Sequence, residues 1–206
     1  MECSVTEYTF YNIKCITGEK VLGETEDYYV GQHGLRHEHF DIDEESYEYS
    51  LDSIDDHIGA GEMSLLTTAE LAPSTTKTLT YDRITGYFKA PLDGQYQFHQ
   101  SCDDECKFYM SLTDPMDPTC KELLMHRKGW LVSDYNFRSY GKDLHSNDPD
   151  DEDNRIGSVF SEWIPLVKDT YYFIEAQHRE NTGTDHATFG VEIQPDNPDD
   201  IPDDHP

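Results

Sequence analysis

Basic residues are scarce in this sequence of 206 residues, which has 15 Lys and Arg against 43 Asp and Glu and a formal net charge of −28. Such a chain repels nucleic acid phosphates and anionic membranes, so we expect no nucleic-acid partner and no direct membrane insertion. Long apolar segments are also missing, since no run approaches the roughly 20 residues that a membrane-spanning helix needs. No signal peptide opens the chain, so we expect a fragment if the protein is secreted.

Motifs that carry catalysis are missing too. The sequence contains no nucleophile elbow, phosphate-binding loop or paired-histidine zinc-protease motif. Acid pairs for glycoside hydrolysis stay open, because carboxylates are too abundant for any one to be informative. His99, His178 and His186 suggest zinc, but Glu175-x-x-His178 suits a helix, and in this strand-like segment the two side chains point to opposite faces. Structural or surface histidines are favoured, and we predict that the protein is not an enzyme.

Aromatic residues, by contrast, are plentiful: 14 Tyr and 9 Phe indicate a packed core. An Asp93-Gly94 step suggests a hairpin turn, and Asp52 to Leu66 suggests a short helix. Many short strands and few helices predict an all-β antiparallel sandwich with long loops. The clearest candidate strands are alternating or β-rich segments separated by Gly, Pro, Asp and Asn, namely 4–10, 12–17, 86–90, 95–100, 107–112, 170–178 and 187–194.

The composition divides the chain into three zones. Residues 1–33 have the character of the end of another domain plus a linker, 34–195 of one domain, and 196–206 of an acidic, proline-rich linker or tail. A second acidic segment at 147–154 lacks the glycine and ligand spacing of an EF-hand. A solvated insertion is the favoured interpretation of that segment, with metal binding as the alternative.

A series of linked motifs in the central zone resembles the protective-antigen-type module, the PA14 domain. The match runs from about Gly34 to Pro195, and Gly34 to Phe40 looks like the opening of the module in fibrocystin-like proteins. The resemblance implies a β-sandwich found in toxins, glycosidase accessory domains, yeast adhesins and surface proteins. The motifs that carry it are Gly86-Tyr87-Phe88-Lys89-Ala90-Pro91, Gly94-x-Tyr96-x-Phe98, Ser101-Cys102-Asp103-Asp104, Phe108-Tyr109-Met110-Ser111, Tyr171 to Ala176, Asn181 to His186 and Phe189 to Ile193.

The same resemblance implies a calcium site. The lectin branch of the family holds calcium with an Asp-Asp pair, often joined by a cis peptide, and an Asn from a distant loop. Asp103 and Asp104 match the pair and Asn181 the loop residue, while Asp185 lies in the same loop and adds a further candidate ligand. Glu105 stands where the family usually has Gly. The alternative is an Asp-rich turn without metal, within an acidic surface that is simply solvated.

The leading segment Cys3 to Thr17 has a resemblance of its own, to the last hairpin of an immunoglobulin-like IPT/TIG domain. That resemblance implies a Cys3–Cys15 disulfide and an oxidising compartment. An ordinary hairpin with two free thiols is the alternative. Among Cys102, Cys106 and Cys120 we expect one local disulfide and one spare thiol, but the sequence does not select the pair.

These features lead to three functional hypotheses. The first is a calcium-dependent extracellular binding and adhesion module of a larger cell-surface protein, which recognises a glycan or an extracellular protein. The second is a structural spacer or repeat unit of a filament or surface coat, with self-association and no small ligand. The third is an accessory part of a glycoside hydrolase or toxin.

Overall fold

The computed structural model describes residues 11–12, 34–42, 51, 54, 61–66, 70–74, 78–127, 160–183 and 185–197. In these ranges no helix is long and apolar enough to cross a membrane. The strands are β1 (Tyr11–Asn12), β2 (Leu35–Asp41), β3 (Glu62–Leu66), β4 (Glu70–Ser74), β5 (Thr78–Lys89), β6 (Gly94–Asp103), β7 (Glu105–Ser111), β8 (Lys121–Arg127), β9 (Ile164–Leu166), β10 (Tyr171–Thr182) and β11 (Asp185–Pro195).

The strands form two antiparallel sheets. The smaller sheet has the order β1-β11-β6-β9, with β4 also paired to β11, and the larger sheet has the order β3-β2-β5-β10-β7-β8. This arrangement confirms the predicted all-β antiparallel sandwich. The predicted strands at 86–90, 95–100, 107–112, 170–178 and 187–194 are confirmed as parts of β5, β6, β7, β10 and β11.

Aromatic rings fill the space between the two sheets. Phe98 from the smaller sheet stacks on Phe108 from the larger one with ring centroids 5.2 Å apart, and Phe108 stacks on Phe189 at 5.8 Å. Phe88 meets Phe98 edge to face at 5.6 Å. Because all four rings are almost completely buried, they supply much of the apolar burial that holds the sheets together.

The outer face of the larger sheet is covered as well. Phe40 and Tyr81, on paired positions of β2 and β5, form a second apolar cluster with Leu51 and Ile54. The backbone N–H of Leu51 donates to the carboxylate of Glu105 across 3.2 Å. Strand β10 is therefore buried on both faces, which explains why its charged residues lack solvent.

Two local predictions are wrong. Asp93-Gly94 does not close a hairpin, because β5 and β6 belong to different sheets and the chain crosses between them. Their apolar faces pack across the core, which outweighs the local turn signal. The predicted helix over Asp52 to Leu66 is wrong at its end, since Glu62–Leu66 form a strand that covers the backbone edge of β2. Most of the first part of that segment lies outside the described residues.

Several predictions fall on other parts of the chain. Cys3, Cys15, the acidic segment 147–154 and residues 198–206 lie outside the described residues. Within the predicted leading zone, Tyr11–Asn12 pair with Val191 and Gly190 of β11, so this short piece extends the smaller sheet. The division into zones at 33/34 and 195/196 stays a prediction.

Candidate metal centre

Three carboxylates meet at one end of the sandwich, and we call them the acidic corner: Asp103, Asp104 and Glu180. Asp103 ends β6, a cis peptide joins it to Asp104, and Glu180 lies near the end of β10. One carboxylate oxygen from each residue lies within 4.8 Å of the other two. A single cation with oxygen ligands can therefore contact all three side chains.

Backbone contacts and one disulfide hold this corner. A disulfide joins Cys102 and Cys106, four residues apart, and closes the loop that carries the two aspartates. The Asp104 N–H donates to the carbonyl of Arg179 at 3.1 Å, which ties the loop to β10. Cys120 is a free thiol, so the prediction of one local disulfide and one spare thiol is confirmed.

The end of β10 and its hairpin to β11 also contribute to the acidic corner. Its turn contains Gly183, whose φ of 120° is readily adopted only by glycine. The backbone N–H of Asn181 donates to Asp104 Oδ2 at 2.8 Å. His178, which lies three residues before Asn181 in β10, contacts the carbonyl oxygen of Asp103 through Nε2 at 2.6 Å. The corner is thus built jointly by the β6–β7 loop and the end of β10.

Burial and mutual repulsion both disfavour the charged forms of the carboxylates in the acidic corner. Burial, followed by the charges of Asp104, Asp103 and Asp185, raises the pKa of Glu180 to about 8. Burial and the neighbouring Asp104 raise the pKa of Asp103 to about 6. The charge of His178 opposes both shifts without cancelling them. Carboxylates that share a buried corner in this way favour either a proton or a cation between them.

Glu105 stands where the sequence resemblance implies a Gly, and its carboxylate contacts side chains outside the acidic corner. Oε1 contacts His126 Nε2 at 2.7 Å, and Oε2 accepts from Arg179 Nε at 3.1 Å. Burial raises its pKa, but the contacts with His126 and Arg179 outweigh burial and bring the pKa below its ordinary value. The substitution of the usual Gly by Glu105 therefore adds no carboxylate to the acidic corner.

The structure brings together some of the predicted ligands and adds one. Asp103 and Asp104 lie together, and Asp185 is buried close enough for its charge to raise the pKa of Glu180. Asn181 contacts Asp104 through its backbone N–H. Glu180 was missed, although it directly precedes Asn181 and lies two residues after His178, on the same face of the strand. The full ligand set stays a prediction.

Comparison with solved structures identifies the fold. The chain is similar to the epithelial adhesin 6 A domain from Candida glabrata in complex with Galβ1-3GlcNAc, with 11% identity and a TM-score of 0.53 over 94% of this chain and 88% of that one. It is also similar to a PA14 sugar-binding domain from an RTX adhesin, with 10% identity and a TM-score of 0.52 over 78% of this chain and 90% of that one.

Larger proteins match over a smaller share of their length. The chain spans 20% of a β-glucosidase from Kluyveromyces marxianus (13% identity, TM-score 0.48, 96% of this chain). It spans 48% of an anti-sigma factor domain-containing protein from Clostridium clariflavum (14% identity, TM-score 0.45, 80% of this chain). No protein-family model matches the sequence, and no curated protein matches it at a significant level. The architecture and the two similarities at TM-scores of 0.52 and 0.53 show that the chain has a PA14-like fold.

Proposed function

We propose that this chain is a calcium-dependent, extracellular glycan-binding module that serves adhesion and has no catalytic activity of its own. The observation that carries the proposal is the convergence of Asp103, Asp104 and Glu180 at one end of a PA14-like sandwich. The module would belong to a larger cell-surface protein.

Calcium is the cation that suits this corner. It binds six to eight oxygen ligands from carboxylates, amides, carbonyls and water at about 2.3–2.6 Å. The acidic corner supplies three carboxylates, and buried Asp185 adds negative charge nearby. We assign the amide oxygen of Asn181 as a further ligand, because its backbone is already anchored to Asp104. A bound dication would remove the repulsion that raises the pKa of Glu180 and Asp103.

Glycan binding is supported by the exposure of the residues that lie next to the acidic corner. Thr182 and Gly183 at the hairpin turn are exposed, so a ligand can approach from that end. Calcium there would offer free coordination positions to sugar hydroxyls. Two structures that share the fold at TM-scores of 0.52 and 0.53 are described as a sugar-binding domain and as an adhesin bound to a disaccharide. The Cys102–Cys106 disulfide supports an oxidising, extracellular setting.

Calorimetric titration with calcium tests the metal site first. We expect saturable binding that weakens at least about 10-fold in Asp104→Asn, because the isosteric change removes a charged ligand. The matched control is Asp169→Asn, which alters an exposed aspartate that pairs with Lys89 just before the start of β10, whereas Glu180 lies near the end of that strand. Equal calcium affinity in both variants and the unchanged chain would contradict the calcium site.

A glycan array with calcium or with excess chelator tests the ligand. We expect binding only with calcium, and loss of that binding in Asp104→Asn but not in Asp169→Asn. Calcium binding with a blank array would refute the glycan part of the proposal and leave a calcium-stiffened structural spacer. Self-association measured by sedimentation would then be the next observation to make.

A further inference from the structure

A second group of metal-ligating side chains lies between the sheets, and we call it the histidine cluster: His37, His39 and Asp82. His37 Nε2 and His39 Nδ1 lie 2.8 and 2.7 Å from the same oxygen, Asp82 Oδ1. The two histidines alternate along β2 and so share a face, and His39 is paired directly with Asp82 of β5. The sheet register thus places both imidazoles around one buried carboxylate.

We propose that the histidine cluster is a binding site for a divalent transition metal, with zinc as the ion whose chemistry it fits. Two imidazole nitrogens and one carboxylate oxygen are a common protein ligand set for zinc, and water or a further ligand completes the coordination. Calcium is a poor match because it prefers oxygen ligands. The site therefore differs in metal class from the acidic corner, and its existence does not depend on the proposed function.

The ligand atoms are close to the arrangement that zinc needs. Zinc–nitrogen and zinc–oxygen bonds of about 2.0–2.2 Å place tetrahedral ligand atoms roughly 3.3 Å apart. The nitrogen–oxygen separations of 2.8 and 2.7 Å must therefore open by about half an ångström. Side-chain rotation of His39, whose side chain is 14% exposed, can supply part of that movement. If the metal ion enters from the side of His39, the buried Asp82 does not have to move.

Each ligand has a partner that would orient it towards a metal. His37 Nδ1 lies 3.0 Å from Ser64 Oγ, and His39 Nε2 lies 3.3 Å from Asp41 Oδ1. When the other ring nitrogen binds zinc, these nitrogens carry the N–H and donate to those oxygens. Such contacts fix the ring orientation and the tautomer, as is usual for zinc-bound histidines.

The carboxylate is oriented in the same way. Asp82 Oδ2, the oxygen not shared by His37 and His39, lies 3.2 Å from His178 Nδ1. Asp82 can therefore keep this contact while Oδ1 binds zinc. All three proposed ligands consequently have supporting contacts outside the metal-binding atoms, which a chance meeting of three side chains does not require.

Titration of the full chain with Zn²⁺, and with Co²⁺ as a spectroscopic substitute, tests the site. We expect one equivalent of tight binding and visible ligand-field absorption typical of four-coordinate cobalt. His39→Gln changes the least buried ligand and is the variant least prone to misfold, and it should weaken zinc binding at least about 10-fold. Asp41→Asn, which alters only the contact behind His39, should weaken it by a smaller factor.

Two controls separate this site from others. His126→Gln alters another partly buried strand histidine that contacts a carboxylate, Glu105, and it should leave zinc affinity unchanged. Asp104→Asn should lower calcium affinity while retaining zinc binding. The proposal is overturned if the unchanged chain does not bind zinc, or if folded His39→Gln, checked by circular dichroism, binds zinc as well as the His126→Gln control.

Discussion

Two glutamates on the same strand, Glu175 and Glu180, are almost completely buried, and yet their pKa values shift in opposite directions. Glu175 faces Arg83 and Lys121, each with a nitrogen 2.8 Å from its carboxylate. Burial raises its pKa, but these two cations outweigh burial and leave the pKa below the ordinary value. Glu180 faces Asp104 and other acids, and its pKa rises to about 8.

The difference shows where the fold supplies its own cations and where it does not. On the outer face of the larger sheet, buried carboxylates are neutralised by neighbouring Arg and Lys side chains. At the acidic corner the charges of His178 and Arg127 do not cancel the effect of burial and of the neighbouring carboxylates, so further neutralisation has to come from a proton or from a bound ion. Buried charge alone therefore does not mark a candidate calcium site; at the acidic corner the shortage of compensating positive charge is what suggests one.

The largest expected effect comes from Glu175→Gln. The change leaves Lys121 without its charged partner and weakens the charge balance around Arg83, which retains Glu38 at 3.8 Å. We expect the free energy of unfolding to fall by about 4 kcal/mol, as for other broken buried ion pairs. Urea unfolding at pH 7 measures the change. A loss no larger than that of an exposed substitution would show that the two buried glutamates do not differ as described.

Two buried histidines, His99 and His178, show the same contrast in pKa for a basic side chain. The pKa of His178 is lowered by burial but raised overall by Asp82 and the Asp103 carbonyl, whereas burial lowers the pKa of His99 to about 4. An unfolded histidine has a pKa near 6.5, so between pH 6.5 and pH 4 the unfolded chain binds a proton at His99 more readily than the folded chain does. The stability that neutral His99 contributes is therefore lost as the pH falls from 6.5 towards 4.

His99→Gln should therefore make stability less sensitive to acid. Between pH 7 and pH 4 the decrease in unfolding free energy should be smaller by about 3 kcal/mol in the variant. Urea unfolding at a series of pH values measures it. Glu192→Gln is the control, because Glu192 Oε2 lies 3.7 Å from His99 Nε2. Because a carboxylate partner raises the pKa of a histidine, Glu192→Gln should not flatten the pH profile. If His99→Gln leaves the profile as steep as in the unchanged chain, burial of His99 is not the cause of the acid sensitivity.

An effect of the opposite sign is expected for Glu180→Gln. Without calcium at pH 7, Glu180 is mostly protonated in the folded chain but ionised in the unfolded chain, so removing its carboxyl should raise the unfolding free energy by about 3 kcal/mol. With saturating calcium the unchanged chain should gain stability that the variant largely lacks. Thermal unfolding with and without calcium measures both, with Asp169→Asn as the exposed control. Destabilisation by Glu180→Gln without calcium would contradict the repulsion at the corner.

The strands and the loop that carries Asp103 and Asp104 could be predicted from the sequence, but their spatial partners could not. Alternation in Lys107 to Leu112 and turn residues around Asp103 are local signals, and both proved informative. Glu180 was not predicted because the resemblance implies only the next residue, Asn181, as a ligand, and the contact of Asn181 with Asp104 is made by its backbone N–H. The Asp93-Gly94 step misled because a turn signal does not say whether the next strand pairs or crosses to the other sheet.

The histidine cluster illustrates the limit most clearly. From the sequence, the histidines that suggest zinc are His99, His178 and His186, whereas His37 and His39 belong only to the motif that resembles the opening of a PA14 module. The register between β2 and β5 brings Asp82 to them from more than 40 residues along the chain. No spacing rule contains that register, because it is set by the pairing of β2 with β5 within the larger sheet.

His178 gives the two proposed metal sites a common element. One ring nitrogen contacts Asp82 Oδ2 at 3.2 Å, and the other contacts the carbonyl oxygen of Asp103 at 2.6 Å. An ion that repositions Asp82 therefore acts, through one rigid imidazole, on the loop that carries Asp103 and Asp104. Thermodynamic linkage then requires reciprocity: whatever factor zinc imposes on calcium affinity, calcium must impose on zinc affinity.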